Sequence, residues 1–390
     1  MSTIEPKARP KADVVCTRCI YDSNISGISF DQEGVCNYCR TVEDLIKQYG
    51  TGTAEGQRKL DEIVAAIKAA GRGKKYDCVV GVSGGTDSSY LLVKSVEWGL
   101  RPLAVHYDNT WNSAVATENI RKITSALNVD LHTHVVNNKE VDDIKRAFLL
   151  SGVAEFDADT DIAFVQVLRS AAAKYGVKHI FEGHSFVTEG LTPVGANYLD
   201  GAYVADIHDR FGIMRRSTFP NMYFFDFLKW AIVYRQKFIR PLWYLHYDKD
   251  EARKYLIEKT GWKYYGGHHL ENRASTYTHT VWLPQRYGID FRNLVLAASV
   301  RSGTMSREAA MEIYSRPVVP DPDLVAYVKK RLNISESEYE AIMQGPKRTF
   351  REFRTYKKRF ETLRPMFHVL AKANLVPMSF YLKYCFPTRN

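Results

Sequence analysis

The sequence lacks the features that would carry a chain into or across a membrane. It has no run of about 18 uncharged apolar residues, the length that a membrane-spanning helix needs. Its first fifteen residues, MSTIEPKARPKADVV, are charged and interrupted by proline, so the apolar segment of a secretory signal is also missing. We therefore expect a soluble, cytoplasmic protein. A length of 390 residues with 45% hydrophobic residues predicts two or three globular domains.

Cysteine is scarce, and the few cysteines are not scattered. Four of the six form the pairs CTRC and CNYC, namely Cys16 with Cys19 and Cys36 with Cys39, and sixteen residues separate the pairs. Two such turns at this spacing predict a tetrahedral zinc site with four thiolate ligands. Two structural disulfides or a redox pair are the alternatives, although a reducing cytosol disfavours them. Because four protein ligands leave no position open for substrate, we expect a structural zinc.

The Walker pattern G-x4-G-K-[ST] is absent, yet another glycine-rich turn occupies a comparable place. Residues 76–82, YDCVVGV, include Gly81 and are apolar and β-branched, as in a buried parallel strand. Residues 88–99, SSYLLVKSVEWG, have helical spacing. Residues 83–88, SGGTDS, lie between them, at a helix N-terminus whose free N–H groups and dipole attract anions. A tight turn without function is the alternative, but the pattern favours a phosphate site.

The segments that follow alternate between strand and helix patterns. RPLAVHYDN and KHIFEGHS are typical of strands, and ITSALNVDLHTHVV is typical of a helix followed by a strand. This alternation predicts an α/β fold with a doubly wound parallel sheet, whose ligands bind beyond the carboxyl ends of the strands. His106, Asp108 and Asn109 are therefore expected near a nucleotide base, with a capping or turn role for the Asp-Asn pair as the alternative.

Composition divides the chain into three regions. The glycines between Gly50 and Gly56 predict a linker, and LDEIVAAIKAAG after it predicts a helix that stops at glycine. Acidic residues are few at the end of the chain, where residues 341–390 hold eleven Lys and Arg against two Glu. We expect a zinc-ribbon-like module in residues 1–50, the sheet domain in residues 51–250 and a mainly helical C-terminal region with a basic tail in residues 251–390.

The SGGTDS string resembles the pyrophosphatase loop, or PP-loop, of the N-type ATP pyrophosphatases. That superfamily includes asparagine, GMP and NAD synthetases and the tRNA thiolases. The resemblance implies that ATP is cleaved between its α and β phosphates, that AMP is transferred to an oxygen of the substrate, and that the loop holds the pyrophosphate.

The residues of the loop, with Gly81 at the end of the preceding strand, are assigned to ATP and pyrophosphate binding. The hydroxyl donors are Ser83, Thr86 and Ser88, and the glycines that let the backbone approach phosphate are Gly84 and Gly85. Asp87 is suited to hold Mg²⁺. Glu189 resembles the second magnesium carboxylate of NAD synthetases, with a solvated loop carboxylate as the alternative.

Longer blocks follow one another along the chain from Cys16 to Pro317. They are CTRC…CNYC, HYDNTWNS, DTDIAF, IHDRFG, TFPNM, RPLWYLHYDKDEA, WKYYGGHHLENR, LPQRYGID and SGTMSREAAM. In this order they resemble the N-acetyl sugar amidotransferases of bacterial surface-polysaccharide (O-antigen) synthesis. The resemblance implies that ATP adenylates the amide oxygen of an N-acetyl group on a nucleotide-linked sugar. Ammonia then displaces AMP and leaves an acetamidino group.

The blocks supply candidate residues for the substrate side. His268, His269 and Glu271 in GGHHLEN are suited to hydrogen bond a sugar or position ammonia, and we assign them to catalysis with Asp87 and Ser88. A His-His-Glu zinc site is the alternative, although adjacent His side chains diverge. Asp161 is assigned to the substrate. Arg273, Arg286 and Arg301 are candidates for contacts with pyrophosphate or a sugar carboxylate, with surface positions as the alternative. GHHLEN replaces the family's usual GKHYES, and EGHS its usual GGN.

Ammonia needs a source, and the chain lacks a glutaminase signature. A glutaminase with an N-terminal nucleophile needs Cys directly after Met1, where this chain has Ser2. The family resemblance implies separate partners similar to the glutaminase and cyclase subunits of histidine biosynthesis. The basic tail is suited to partner protein, membrane surface or nucleic acid, and helices packed on the sheet domain are the alternative.

A tRNA-thiolating enzyme is the alternative function, since such enzymes also join zinc modules to this type of loop. Thiolation needs catalytic cysteines or an iron–sulfur cluster in the ATP domain, where only Cys78 is available. A zinc-ribbon nucleic-acid binder without catalysis is a third hypothesis, but it leaves the intact loop unexplained. We therefore expect ATP, Mg²⁺ and zinc as cofactors and no nucleic-acid substrate.

Overall fold

The computed structural model describes residues 13–193, 198–267, 270–373 and 375–387. These residues form a parallel sheet of five strands: β1 Cys78–Gly81, β2 Pro102–Asp108, β3 Leu131–Val135, β4 His179–Phe181 and β5 Lys237–Ile239. The strand order is β3-β2-β1-β4-β5, and every neighbouring pair is parallel. The predicted α/β fold with a doubly wound sheet is confirmed, and β5 is a short strand that the sequence analysis did not predict.

Helices surround the sheet and build most of the later chain. Those up to residue 260 are α1 Asn37–Tyr49, α2 Ala54–Ala70, α3 Thr86–Glu97, α4 Ala114–Ala126, α5 Asn138–Ser151, α6 Ala158–Lys174, α7 Gly201–Phe211, α8 Phe224–Leu228 and α9 Lys249–Thr260. The later ones are α10 Arg273–Tyr277, α11 Arg292–Ser302, α12 Arg307–Ser315, α13 Pro322–Arg331, α14 Glu336–Gln344, α15 Lys357–Thr362, α16 Arg364–Lys372 and α17 Met378–Tyr384. Segments of π-helix, Lys229–Val233 and Thr278–Tyr287, continue α8 and α10, and 3₁₀ turns span Pro241–Trp243 and Phe350–Glu352. Within the described ranges, no helix has both the length and the apolar composition needed to cross a bilayer.

Side chains alternate along β1 and pack helices onto both faces of the sheet. Cys78 and Val80 lie in one buried cluster with residues of α2, α3 and α4. Val79 lies in a second cluster with residues of α6. Every residue of β1 is buried, as expected for a parallel strand between two helical layers. Full burial of an aliphatic side chain contributes about 1.5–3 kcal/mol, so these two layers stabilise the sheet that carries the loop.

The linker predicted between Gly50 and Gly56 is shorter than expected. α2 begins at Ala54, because the hydroxyl of Thr53 accepts a hydrogen bond from the backbone N–H of Gly56 at 3.3 Å and caps the helix. The helix ends at Ala70 before Gly71, as the sequence predicts.

The C-terminal helices lie against the sheet domain. Phe148 of α5 and Tyr203 of α7 share a buried cluster with Trp282 and with Phe367 of α16. The Trp282 indole N–H donates to the carbonyl of Val153 at 3.0 Å. The helices of the basic tail therefore pack on the sheet domain, as the alternative interpretation of the tail expects.

The N-terminal module packs on α11 and α12. Its cysteines share a buried cluster with Leu296, Ala310 and Tyr314. The guanidinium of Arg307 donates to the carbonyls of Cys19 at 3.0 Å and of the first cysteine of that pair at 2.9 Å. The beginning of the chain is thus held by residues almost 300 positions later.

Candidate active site

The glycine-rich loop joins β1 to α3. Gly84 has a φ of +81°, and an added Cβ there would lie 2.3 Å from the carbonyl oxygen of Ala116, so the close approach of α4 requires glycine. The Oγ of Ser88 accepts from the backbone N–H of Ser83 at 3.2 Å, and the Oγ of Ser83 accepts from that of Gly85 at 3.2 Å. These bonds fold the loop onto the N-terminus of α3, a geometry suited to bind an anion.

A cavity of about 280 Å³ opens beside the loop at the carboxyl ends of β1, β2 and β4. The predicted site residues that line it are Gly81, Ser83, Gly85, Thr86, Asp87, Ser88, His106, Asn109, Asp161, Glu189 and Glu271. His268 and His269 lie outside the described residues. The structure therefore brings together most of the residues that the sequence analysis assigned to ATP and to chemistry.

Asp87, in the first turn of α3, belongs to a charged group on the cavity wall. Lys249 Nζ lies 2.9 Å from Asp87 Oδ2 and 3.2 Å from Glu189 Oε1, and the Tyr247 hydroxyl donates to Asp87 Oδ1 at 2.5 Å. Burial raises the pKa of Asp87, but the Lys249 ammonium and the hydrogen bonds outweigh it, so the pKa lies below its ordinary value. Two carboxylates side by side are a donor set that suits Mg²⁺.

His106 is held in the cavity wall as a neutral ring. Its Nδ1 lies 2.9 Å from the carbonyl oxygen of Val82, and its Nε2 lies 3.2 Å from the amide nitrogen of Asn112. The carbonyl can only accept and the amide nitrogen can only donate, so the proton is on Nδ1. Burial lowers the pKa of His106, which also favours the neutral form. Asn272 donates to the side-chain oxygen of Asn109 at 3.0 Å, so this wall is polar without charge.

Glu271 lies against the glycine-rich loop at Gly85. An added Cβ on Gly85 would lie 3.0 Å from Glu271 Oε1 and 3.2 Å from the Tyr265 hydroxyl, so both groups contact the loop. The backbone N–H of Thr86 donates to that hydroxyl at 3.3 Å. The backbone of Glu271 is fixed because its carbonyl accepts from the N–H of Ser113 at 2.8 Å. A buried carboxylate is thus placed where it can accept a proton from a reacting group beside the loop.

Three predicted residues next to the cavity, Gly84, Asp108 and Arg273, do not line it. Gly84 packs against Ala116 instead. Asp108 Oδ1 accepts from the backbone N–H of Thr110 at 2.8 Å, in a turn where Thr110 has a φ of +62°. Asp108 therefore has the turn role that was the alternative to a contact with the nucleotide base. Arg273 donates to the carbonyl of Asn112 at 3.4 Å and stacks on the Tyr327 ring, 4.9 Å from its centroid.

Two other arginines expected at the substrate are engaged by the fold instead. Arg286 is buried, and its guanidinium donates to the carbonyl of Pro346 at 2.7 Å. Arg301 donates to the Sγ atoms of Cys39 and Cys19, each at 3.3 Å. Buried guanidinium groups need acceptors, and each of these two arginines finds acceptors within the fold. The expectation of substrate contacts is corrected for both residues.

Lys249 and Tyr265 line the cavity, although neither is predicted from the sequence as a site residue. Tyr265 stands 179 positions from the loop residue that it contacts, so no local pattern marks it. Lys249 is the first residue of α9, where the positive end of the helix dipole disfavours a cation. That unfavourable position is the signal that could have drawn attention to it. Arg253, one turn further along α9, also lines the cavity.

The paired cysteines form a compact cluster. All four Sγ atoms lie within 4.8 Å of one another, with Cys16 and Cys39 at 3.9 Å and Cys19 and Cys36 at 3.8 Å. Zn–S bonds of about 2.3 Å in a tetrahedron place sulfur atoms about 3.8 Å apart. The four residues are buried, and none is in a disulfide. The cluster therefore has the ligands and the spacing to bind zinc.

Comparison with known proteins adds a family match in the later chain. Residues 271–365 match the family model of the C-terminal domain of WbpG-like LPS biosynthesis proteins. The chain is also 23% identical over 308 residues to the uncharacterized protein MJ1599 of Methanocaldococcus jannaschii, a match that covers 78% of this chain and 94% of that protein.

Solved structures give weaker similarities. The NMN synthetase of Francisella tularensis is 12% identical with a TM-score of 0.33, over 72% of this chain and 95% of that one. The NH₃-dependent NAD synthetase of Campylobacter jejuni is 13% identical with a TM-score of 0.31, over 74% and 97%. A predicted subunit of tRNA methyltransferase from Methanocaldococcus jannaschii is 15% identical with a TM-score of 0.27, over 55% and 90%.

The matched segment and the loop meet at the same cavity. Glu271, Asn272 and Ser275 belong to the matched segment, and they line the cavity together with Asp87 and Ser88 of the loop. The loop follows the central strand of a parallel sheet, at the edge where such sheets bind ligands. The chain therefore joins a glycine-rich, anion-binding loop at this edge of the sheet to a C-terminal region that matches the WbpG-like domain of LPS biosynthesis proteins.

Proposed function

We propose that the protein is an ATP-dependent, AMP-forming amidotransferase that converts an N-acetyl group of a nucleotide-linked sugar into an acetamidino group. It would act in the synthesis of LPS O-antigen or another surface polysaccharide. The observation that carries this proposal is the cavity at which a PP-loop and a WbpG-like segment meet. The loop suits a pyrophosphate, and the uncharged wall with His106 and Asn109 suits a base or a sugar.

The reaction balances in two steps. The amide oxygen of the sugar attacks the α-phosphorus of ATP, the bond to the β-phosphate breaks, and an O-adenylyl imidate and pyrophosphate form. Ammonia then attacks the imidate carbon, the C–O bond breaks, and AMP leaves with the former amide oxygen. Protons released from ammonia need an acceptor, and Glu271 is the carboxylate that lies against the loop. The protein's main task is to place the amide oxygen in line with the α-phosphorus.

Charge at the loop is the second task. Asp87 and Glu189 would hold Mg²⁺, which neutralises phosphate oxygens when it is bound. Lys249, which lies beside both carboxylates, provides a fixed cation at the same wall and favours the departing pyrophosphate. Thr86 and Ser88 supply hydroxyl groups toward the same cavity. The buried cysteine cluster would hold a structural zinc, remote in role from this chemistry.

Ammonia is proposed to come from a separate glutaminase, delivered through a cyclase-type subunit. All six cysteines lie in the described chain: four form the cluster, and the remaining two, Cys78 and Cys385, are buried. None of them lines the cavity. The same observation disfavours the alternative function of tRNA thiolation, which needs a thiol or a cluster near the ATP site. Glutamine should support the reaction only when the partner is added, whereas ammonium should support it alone.

The test measures AMP and pyrophosphate release from ATP with Mg²⁺ and ammonium, across nucleotide-linked diacetamido sugars and bulk tRNA. We expect AMP with one sugar, and a product in which NH replaces the acetyl oxygen. A sugar labelled with heavy oxygen in that acetyl group should yield labelled AMP, because AMP leaves with that atom. AMP release with tRNA alone would overturn the proposal, as would unlabelled AMP from the labelled sugar.

A further inference from the structure

Three helical segments expose apolar side chains to solvent: α8 with its π-helical continuation, α16 and α17. α8 and its π-helical continuation bury Phe224, Phe227 and Trp230, yet they leave Phe225 75% exposed and Val233 70% exposed. Buried and exposed positions thus alternate at helical spacing, so the segment is apolar on its inner face and also on its outer face. A surface helix of a globular protein ordinarily carries polar residues on the outer face.

The last two helices show the same feature. In α17 the exposed side chains Met378 and Leu382 are one turn apart, and Phe386 follows one turn later. In α16, Val369 is 66% exposed. Several aliphatic or aromatic side chains are therefore unprotected from water within a short stretch of structure, which is costly unless something covers them.

A cluster of phenylalanine rings packs these segments together. Phe227 lies 4.8 Å from Phe380 and 6.1 Å from Phe367 between ring centroids, and Phe360 lies 5.1 Å from Phe380. α8, α15, α16 and α17 are thus one packed unit. We call the exposed apolar residues of this unit the outer face; they are Phe225, Ile232, Val233, Val369, Met378, Leu382 and Phe386.

Basic residues accompany the outer face. Lys229 is exposed between Phe225 and Ile232, and Arg364 and Lys372 are exposed at the two ends of α16. Between residues 357 and 387 the exposed basic residues are Lys358, Arg359, Arg364 and Lys372, whereas Lys357 is buried and Lys383 is half-buried. The one acidic residue of this stretch is Glu361. That carboxylate pairs internally with a lysine of α15 at 3.3 Å. The charge that faces solvent around the apolar residues is therefore positive.

We propose that the outer face binds an anionic membrane surface, with its helices lying in the plane of the interface. Apolar side chains would enter the boundary between head groups and acyl chains, and the lysines and arginines would reach anionic head groups. Nucleic acid matches the charge, but the aliphatic side chains of Val233, Val369 and Leu382 offer neither stacking nor phosphate contacts. A second copy of the chain matches the apolar residues, but it would bring like charges together.

The proposal goes beyond the proposed function, since it says where the enzyme works rather than what it catalyses. A sugar destined for a surface polysaccharide would be modified beside the membrane. The outer face contains none of the residues that line the cavity, so loss of membrane binding should leave AMP release in vesicle-free solution unchanged.

The experiment is co-sedimentation of the full-length protein with vesicles of phosphatidylcholine alone or mixed with phosphatidylglycerol. We compare Val233→Ser/Val369→Ser with the control Val135→Ser/Val319→Ser, whose valines are 63% and 76% exposed elsewhere on the molecule. All four sites are exposed, so both variants should keep the Tm of the unmodified protein. We expect the outer-face variant to bind the anionic vesicles roughly tenfold more weakly, and the control to bind them unchanged.

High salt should also release the unmodified protein from anionic vesicles, and neutral vesicles should retain little of it. Equal retention of the two double variants would overturn the proposal, as would no retention of the unmodified protein by anionic vesicles at low salt. A dimer of the unmodified protein that the outer-face variant converts to monomer would assign the face to a second copy instead. Salt-sensitive RNA binding that the outer-face variant alone loses would likewise overturn it.

Discussion

The cysteine cluster and the cavity beside the glycine-rich loop of residues 83–88 differ in how their charged groups are arranged. In the cluster, four sulfur atoms face one another, Arg301 and backbone N–H groups contact them, and no position is left open. In the cavity, Asp87 and Glu189 face a space of about 280 Å³, and the cation beside them, Lys249, is on a different helix. A closed arrangement holds its ion to stabilise a fold, whereas an open one keeps room for a ligand that comes and goes.

The largest effect is expected when one sulfur ligand is removed from the closed site, the cysteine cluster. Cys16→Ser should lose bound zinc and lower the Tm by roughly 10 °C or more, because structural zinc supplies much of the folding free energy of a small module. Zinc content by elemental analysis and a thermal melt measure both effects. Cys385→Ala also removes a buried thiol, but away from the cluster, and should keep full zinc content. A Cys16→Ser protein with full zinc and an unchanged Tm would contradict the closed-site assignment.

In the open site, Asp87→Asn should leave the fold intact and remove the activity. The amide keeps the size of the carboxylate, but it loses the charge that Mg²⁺ and Lys249 require. We expect AMP formation to fall by roughly 10²- to 10³-fold with little change in Tm. Asp61→Asn, an exposed position on α2, is the matched control and should keep full activity. An active Asp87→Asn enzyme would exclude this carboxylate from the reaction.

The same contrast explains what could be predicted from the sequence. The cysteine ligands lie within 24 consecutive residues, and residues 83–88 form one turn, so local spacing reveals both. Lys249 contacts a carboxylate 162 positions earlier in the chain, and only the folded sheet brings the two together. The prediction that Arg286 and Arg301 contact the substrate was wrong for a related reason. From the sequence Arg301 is a candidate for a phosphate contact, but its acceptors are cysteine sulfur atoms 262 and 282 positions away.

Lys249→Met tests whether the cation in the open site serves the phosphate or only the fold. Lys249 pairs with Asp87 and Glu189 and so competes with Mg²⁺ for these two carboxylates. Without its ammonium group, the carboxylates repel each other and bind a divalent cation more readily. We expect the Mg²⁺ concentration for half-maximal activity to fall, while kcat falls by roughly 10²-fold because the pyrophosphate loses a fixed cation. Lys254→Met, exposed on the same helix, should change neither. A fall in Tm with an unchanged kcat would make Lys249 a structural residue.

The smallest effect concerns the cation at the closed site. Four thiolates around Zn²⁺ carry a net negative charge, and Arg301 donates to two of the sulfur atoms at 3.3 Å. Arg301→Gln should therefore speed zinc loss to a chelator by roughly 10- to 100-fold, because the outer contacts of a metal site tune its affinity. Arg307→Gln is the matched control, since Arg307 also makes two hydrogen bonds to the module, but to carbonyl oxygens at 3.0 and 2.9 Å. If both variants lose zinc equally fast, packing of the C-terminal helices retains the metal, and the guanidinium charge at sulfur does not.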